Sequence, residues 1–298
     1  MSFQVSITTH AHAERPYSSL SIRYRTSTTS LCKYPDGKRN LLEAKINTQQ
    51  KTAVWDDFWA GKDPQSIYPP VTRIVDEVEA RIPIKNAKVL EVGAGTGRDS
   101  IAMSERGADV CILDYSKESL RLAKASMHGH TPLLLRADAL HCPITSGYYD
   151  IVFHQGLLEH FTSPYRLLHE NHRVLKKGGL LVVDVPQTFH IYTLMKHALM
   201  AVNIWFAGWE RQFTIHSLSL LLQRCGFEPM WHYGDWSRPG LWYKILREIG
   251  KRIGIALPMY PRFFGPITQA FYRLQERLRK KRLFLYTTLS IGIIAKKI

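Results

Sequence analysis

The fold is decided by Val89-Leu-Glu-Val-Gly-Ala-Gly-Thr-Gly97, a short apolar run that ends in three glycines spaced G-x-G-x-G. Because glycine has no Cβ, such a loop can turn tightly and bring its backbone close to a bound molecule. Loops that bind dinucleotides space their glycines G-x-G-x-x-G instead. Here an acid, Glu91, also stands two residues before the first glycine. The stretch therefore predicts a ligand-binding loop that follows a buried strand and differs from the dinucleotide type.

Strands and helices alternate along the chain around this loop. Apolar runs predict strands at 88–92, 109–113, 132–136, 149–153, 180–184, 230–236 and 285–295. Helical periodicity predicts helices at 71–82, 100–106, 117–127, 165–175 and 217–225, the fourth of which ends at the cations and glycines of 176–179. The strands are apolar without alternation, as expected when both faces of a sheet are covered. The pattern predicts an α/β fold with a parallel sheet and helices on both faces.

The chain divides into a leader and one domain. Residues 1–45 are rich in Ser, Thr and Arg, and this composition predicts a flexible leader. Residues 46–298 are predicted to form a single domain with an N-terminal helical extension and helical insertions at about 187–212 and 237–283. No apolar run reaches the roughly 18 residues that span a bilayer, and the leader lacks the apolar core of a secretory signal. Four scattered cysteines without a C-x-x-C pair predict no disulfide framework and no metal site.

The glycine loop resembles motif I of the class I S-adenosylmethionine-dependent methyltransferases, in the small-molecule, methyltransferase type 11-like branch. The rest of that family's pattern follows in order, over about residues 55–227 and the final strand. The resemblance implies a Rossmann-like, mostly parallel, seven-stranded sheet and S-adenosylmethionine as the cofactor. It implies ribose binding at Asp114 and adenine recognition at Asp138-Ala139. The implied cofactor-binding residues are Glu91, Gly93, Ala94, Gly95, Gly97, Asp114, Tyr115, Asp138, Ala139 and Gln155.

Two of these acids also fit a purely local role. Asp114 is placed to cap the helix that begins near Ser116, and Asp138 is placed to form an Asx turn. The family's order of motifs favours the cofactor-binding role for both.

The candidate catalytic residues lie at the carboxyl ends of the fourth and fifth strands, where open α/β sheets bind their ligands. They are His154 and Gln155 after the fourth strand and His190 after the fifth, as bases or as groups that orient the acceptor. A sulfonium methyl group is already activated, so alignment of donor and acceptor is the main requirement. A base is needed only when the acceptor arrives protonated with a high pKa.

The charge of the chain suggests an anionic partner. Residues 241–298 hold 13 Lys and Arg against two Glu, which is +11 of the net +15 of the whole chain. A membrane surface, a nucleic acid or a phosphorylated substrate would suit this charge, as would plain solvent around a basic face. Residues 241–253 are predicted to form a basic amphipathic helix suited to an anionic lipid interface. Residues 191–209 add a broad apolar surface with one cation.

These patterns predict an S-adenosylmethionine-dependent methyltransferase that acts on an O, N or C atom of a small acceptor. The insertions favour an amphiphilic or lipid-linked acceptor. The scattered cysteines indicate a reducing cytoplasm, and the basic helix favours association with a membrane surface. One alternative is an RNA methyltransferase that uses the basic tail, although His154-Gln-Gly-Leu157 lacks the Asn/Asp-Pro-Pro-Tyr sequence of amine and amide methylation. A second alternative is a scaffold that binds the cofactor without catalysis.

Overall fold

The computed structural model describes residues 53–62, 72–127, 129, 132–201, 210–236, 240, 243, 246–247, 249–250, 254–255, 257–258, 265–279 and 281–298. Its strands are β1 (Lys88–Val92), β2 (Asp109–Asp114), β3 (Leu133–Arg136), β4 (Tyr149–Gln155), β5 (Leu175–Pro186), β6 (Phe227–Asp235) and β7 (Ser290–Lys297). Residues 53–59 form helix α1. The other helices are α2 (Arg73–Glu79), α3 (Arg98–Glu105), α4 (Lys117–Ala125), α5 (Pro164–Val174), α6 (Ile191–Ala201), α7 (Ile215–Arg224) and α8 (Gly265–Leu278).

The strands form one seven-stranded sheet in the order β3-β2-β1-β4-β5-β7-β6. The first five strands pair in parallel, with Val89 opposite both Val110 and Ile151. Strand β7 runs antiparallel to both of its neighbours, β5 and β6. The predicted mostly parallel, Rossmann-like sheet is therefore confirmed.

Helices cover both faces of the sheet, which explains why its strands are apolar without alternation. On one face, Leu168 of α5 and Leu222 of α7 pack in one cluster with Val152 of β4. On the other face, Val75 of α2 and Met103 of α3 share a second cluster with strand residues such as Phe153. Consecutive residues of β4 thus point to opposite sides, as the period of a strand requires.

The helix predicted at 165–175 ends close to where it was expected, at Val174, but residues 176–179 are not its terminus. Helix α5 runs directly into β5, which already includes these residues. The pairing of β4 with β5 shifts register here, and Gly178 has a φ of +76°. A Cβ on Gly179 would lie 3.0 Å from the carbonyl oxygen of Asp150. The glycines allow the irregular pairing of the two strands at this point. Such an irregularity favours glycine, as the end of a helix does.

The predicted strand 285–295 begins later, at Ser290, because residues Phe284–Tyr286 form a 3-10 helix. The hydroxyls of Thr287 and Thr288 donate back to the carbonyls of this turn, each at 2.8 Å. These side-chain bonds offer the backbone a local alternative to the sheet.

Parts of the predicted organisation fall outside the described residues. Helix α6 lies in the first predicted insertion and α8 in the second. The leader 1–45, residues 202–209 and much of the predicted basic helix 241–253 are not among the described residues.

Helix α8 is tied to α2 by charged side chains. Arg73 Nη2 lies 3.1 Å from Glu276 and 3.7 Å from Asp235. Arg279 pairs with both Glu77 and Glu276. Arg73, Glu77 and Arg279 are buried. Since removing one partner of a buried ion pair leaves an uncompensated charge, this cluster fixes α8 to α2.

Candidate active site

The glycine loop turns with a backbone geometry that L side chains rarely adopt. Gly93, Gly95 and Gly97 have φ values of +69°, +56° and +66°. A Cβ on Gly95 would lie 3.0 Å from the indole of Trp59, and one on Gly97 would lie 2.9 Å from Ile112 Cδ1. The loop therefore needs glycine for its conformation and for close packing.

Asp114, at the end of β2, holds this loop in place. Its Oδ2 accepts hydrogen bonds from Gly95 N at 3.3 Å and Ser119 Oγ at 2.7 Å, while Oδ1 accepts from Ser116 N at 2.8 Å. Burial raises the pKa of Asp114. The N-cap of α4 is Ser116, whose side chain accepts from Ser119 N. Asp114 thus connects the glycine loop to the start of α4, and its contact with a ribose remains a prediction.

Helix α1 lies over the glycine loop. Ser116 Oγ donates to Asp56 at 2.5 Å, and the buried indole of Trp59 covers Gly95. Trp55 meets the ring of His160 at 5.0 Å between centroids. No site residue was predicted in this helix, although the aromatic residues of 55–59 are a signal in the sequence.

Glu91 is a buried carboxyl group directly beneath the loop, 5% exposed. Burial, together with the nearby carboxylate of Asp99, raises the pKa of Glu91 to about 8. The group is therefore mostly protonated at neutral pH in the ligand-free site, although the cation of Arg98 nearby lowers its pKa. A ligand ammonium beside it would favour the carboxylate form.

Gln155 is exposed at the carboxyl end of β4, where Arg98 reaches it. Arg98 Nη2 donates to Gln155 Oε1 at 3.3 Å and to Asp99 Oδ2 at 2.6 Å. Arg98 was not predicted as a site residue, although it directly follows Gly97, the last glycine of the loop. It places a cation next to the predicted site.

Asp138 forms the Asx turn that was one of its two predicted roles. Its Oδ1 accepts from Leu140 N at 2.9 Å, which makes an Asx turn, and its Oδ2 lies 3.1 Å from His141 Nδ1. Arg136 Nε donates to the carbonyl of Tyr115 at 3.2 Å. The turns after β2 and β3 are therefore held next to each other at the edge where the adenosine is predicted.

The two candidate histidines occupy different environments. His154 is fully buried in β4, and burial lowers its pKa to about 3. His190 precedes α6, and its Nδ1 accepts a hydrogen bond from Tyr192 N at 3.2 Å. Burial lowers the pKa of His190 as well. An Nδ1 that accepts places the proton of the neutral ring on Nε2. Neither environment favours a general base.

A second buried carboxyl group follows β4. Glu159 is 3% exposed, and burial raises its pKa to about 8. Lys196 of α6 pairs with Glu210, and both side chains are buried. Both lie close enough to Glu159 to influence its pKa. Helix α6 is thus anchored near the carboxyl ends of β4 and β5. Among the described residues, no group of three or more His, Cys, Asp or Glu is arranged to hold a metal ion.

Comparison with known proteins supports the assignment. Residues 90–183 match the family described as a methyltransferase domain. The Bacillus subtilis (strain 168) protein YqeM, provisionally named a methyltransferase, is 26% identical over 189 residues, or 57% of this chain and 73% of that protein. A ubiquinone biosynthesis O-methyltransferase of Azoarcus sp. (strain BH72) is 28% identical over 124 residues, or 39% of this chain. The match covers 53% of that relative, so this chain spans about half its length.

A solved structure shows the same fold. The S-adenosylmethionine dependent methyltransferase of Mesorhizobium loti superposes with a TM-score of 0.50 at 15% identity, covering 76% of this chain and 98% of that one.

The geometry also fits the cofactor that this family uses. The glycine loop leaves no room for a Cβ at Gly95, Glu91 supplies a buried carboxyl group beneath it, and Arg98 adds a cation beside Gln155. An amino acid joined to a nucleoside needs these kinds of partner for its ammonium, its carboxylate and its ribose. The match at 90–183 identifies a methyltransferase domain in this chain, and S-adenosylmethionine is the cofactor that its geometry fits.

Proposed function

We propose that this enzyme methylates a small amphiphilic acceptor that binds beyond the carboxyl ends of β4 and β5, next to α6. The observation that carries the proposal is the position and polarity of α6. It follows β5 directly and is anchored through Lys196 and Glu210, while Ile191, Leu194 and Met195 are exposed. An acceptor at this edge would meet apolar side chains together with a few polar groups, as in most small-molecule sites.

The proposed cofactor contacts follow the placement of the site residues. Glu91 would hold the ammonium, directly or through the loop, and Arg98 with Gln155 would bind the carboxylate end. The turn of Asp114 and Tyr115 would face the ribose, and the turn of Asp138 and Ala139 the adenine. Gly93 to Gly97 would bring the backbone close to the ligand.

The cofactor supplies a methyl group on a positively charged sulfur, which leaves as a neutral thioether. The protein has to align the acceptor atom with this methyl group and exclude water, and such positioning contributes up to roughly 7–11 kcal/mol in ideal systems. Gln155 would orient the acceptor or the cofactor, and its exposed side chain at the end of β4 supports this role. The proposal uses neither His154 nor His190 as a base.

The Azoarcus relative supports an acceptor that combines a polar ring with an apolar tail, since its name places it in ubiquinone biosynthesis. The test uses S-adenosylmethionine labelled in the methyl group and two catechols that differ only in an alkyl tail. We expect transfer to both, with a higher kcat/KM for the tailed catechol. Transfer to RNA but to neither catechol would favour the RNA alternative. Cofactor binding without transfer to either class would favour the scaffold.

Cofactor binding should release a proton. The pKa of Glu91 is about 8 in the ligand-free site because of burial and Asp99. An ammonium nearby lowers this pKa, so at pH 7 binding converts the acid to its carboxylate and releases close to one proton. The affinity should therefore rise as the pH increases towards 8. Calorimetry in buffers of different ionisation enthalpy measures the number of protons released.

Two substitutions test whether the released proton comes from Glu91 or from another buried acid. In Glu91→Gln the proton release should disappear, because the amide does not titrate. In Glu159→Gln it should persist, although the pKa of Glu159 is also raised to about 8. Equal proton release in the wild type and Glu91→Gln would contradict the proposed ammonium contact.

A further inference from the structure

Helix α6 buries polar side chains and exposes apolar ones, the reverse of the usual arrangement in a surface helix. Its buried residues include Thr193 and Lys196, which are 1% and 5% exposed. Its exposed residues include Ile191, Leu194 and Met195, at 57%, 50% and 47%. A surface helix of a water-soluble domain normally turns its apolar stripe towards the core. The apolar stripe of α6 faces outwards instead.

The apolar surface continues onto a second segment that is distant in sequence. Phe189 is 57% exposed, and its ring centroid lies 6.3 Å from that of Tyr286. Tyr286 is 37% exposed, and Leu283, three residues earlier, is 77% exposed. We call the side chains of Phe189, Ile191, Leu194, Met195, Leu283 and Tyr286 the apolar patch. Exposed apolar side chains grouped on two such segments mark contact with a protein, a ligand or a membrane.

The charged residues beside the apolar patch are cations, and they favour one of these kinds of partner. Lys281 and Arg282 directly precede Leu283, and both are exposed. Neither segment, 187–201 or 277–290, contains an aspartate or glutamate. Apolar side chains bordered by cations, with no acid in either segment, complement an anionic lipid surface, where tails accept the apolar groups and headgroups meet the cations.

The location of the patch relates it to the active site. The backbone N–H groups of Phe189 and His190 both donate to Gln187 Oε1, at 2.5 and 2.9 Å. Gln187 follows β5 immediately, so these bonds fix the start of α6 at the carboxyl edge of the sheet. The patch and the proposed acceptor site are therefore neighbours.

We propose that the apolar patch, together with Lys281 and Arg282, docks on the interface of an anionic lipid bilayer. The protein would rest on the bilayer, since no described helix is long and apolar enough to cross one. Docking would bring α6 and the acceptor site to the level of the headgroups. Entry of an amphiphilic acceptor from the bilayer depends on the proposed function, whereas docking of the apolar patch does not.

The test measures co-sedimentation of the full chain with vesicles of phosphatidylcholine, with and without phosphatidylglycerol. We expect binding to the anionic vesicles that weakens as salt increases, and little binding to the neutral ones. Leu194→Ser combined with Met195→Ser should reduce anionic-vesicle binding by about tenfold or more, because two apolar side chains no longer enter the interface. Lys281→Glu combined with Arg282→Glu should cause a loss of about tenfold or more, since each cation near such a surface contributes to binding.

Matched controls use equivalent side chains elsewhere on the molecule. Leu133, 64% exposed, lies on edge strand β3, so Leu133→Ser removes an exposed leucine far from the patch in the sheet order. Lys124 is exposed at the end of α4, so Lys124→Glu reverses a charge outside the patch. Both variants should bind vesicles like the wild type.

Three results would overturn the docking surface. One is unchanged vesicle binding in the Leu194 and Met195 variant, and another is equal binding to neutral and anionic vesicles. The third is the absence of vesicle binding together with a dimer or an RNA complex that the same variant abolishes. That result would make the apolar patch a contact with a second copy of the chain or with RNA. Cofactor affinity and methyl transfer to a water-soluble catechol are measured in parallel. If the wild type shows neither cofactor affinity nor methyl transfer to this catechol, the proposed function is contradicted. The docking result does not depend on that outcome.

Discussion

A Gly95→Arg variant is expected to lose measurable affinity for S-adenosylmethionine, a fall of at least ~100-fold. A residue with a Cβ at a φ of +56° is strained, by about 1–2 kcal/mol for an ordinary L residue. Its Cβ would also lie 3.0 Å from Trp59. The guanidinium would then extend into the space that the cofactor needs. Calorimetry with the purified variant measures the loss.

Gly147→Arg is the matched control for this experiment. Gly147 has a φ of +67°, but nothing lies within 4 Å of a Cβ built on it. This variant carries the same backbone strain without the obstruction, so its cofactor affinity should equal that of the wild type. The melting temperatures of both variants show whether each is folded. A folded Gly95→Arg protein with undiminished affinity would contradict the site assignment.

The second large effect is expected at Lys196, which pairs with Glu210 in the anchor of α6. Both side chains are buried, at 5% exposure each. Lys196→Met removes one charge and leaves the other buried, which lowers the free energy of unfolding by about 3–5 kcal/mol. Urea denaturation followed by circular dichroism measures this change. Adding Glu210→Leu should recover much of the loss, because an apolar pair replaces the ion pair.

Lys176 provides a comparison on the surface. Its Nζ lies 2.6 Å from Asp150, with side chains 44% and 37% exposed. Lys176→Met should therefore change the free energy of unfolding by about 1 kcal/mol or less. If the Lys196 variant were as stable as the Lys176 variant, α6 would not depend on the buried pair for its anchorage.

The sheet and the cofactor loop could be predicted because their signals are local in sequence. The G-x-G-x-G spacing after an apolar strand places the loop, and the apolar strands place a sheet covered on both faces. The role of 176–179 could not be predicted in the same way. A helix end and a β-bulge both favour glycine, and only the pairing of β4 with β5 distinguishes them.

The covering of the site could not be predicted, because it depends on contacts between distant residues. Nothing near Trp59 in the sequence indicates that its indole packs against Gly95. The composition of α6 shows apolar residues and one lysine, but not that Lys196 is buried while Leu194 is exposed. His154 was interpreted as an edge residue. However, β4 continues to Gln155 and His154 is buried within it.

The position of β7 has a consequence for the synthesis of the protein. Strand β7 follows β5 and β6 in the sequence but lies between them in the sheet. When β6 has emerged from the ribosome, β7 is not yet available to pair with it. The edge of β5 that pairs with β7 is then unpaired as well. Unpaired edges are the places where incomplete chains aggregate. The five parallel strands can assemble during translation, whereas closure of the sheet has to wait until Ser290–Lys297 has emerged.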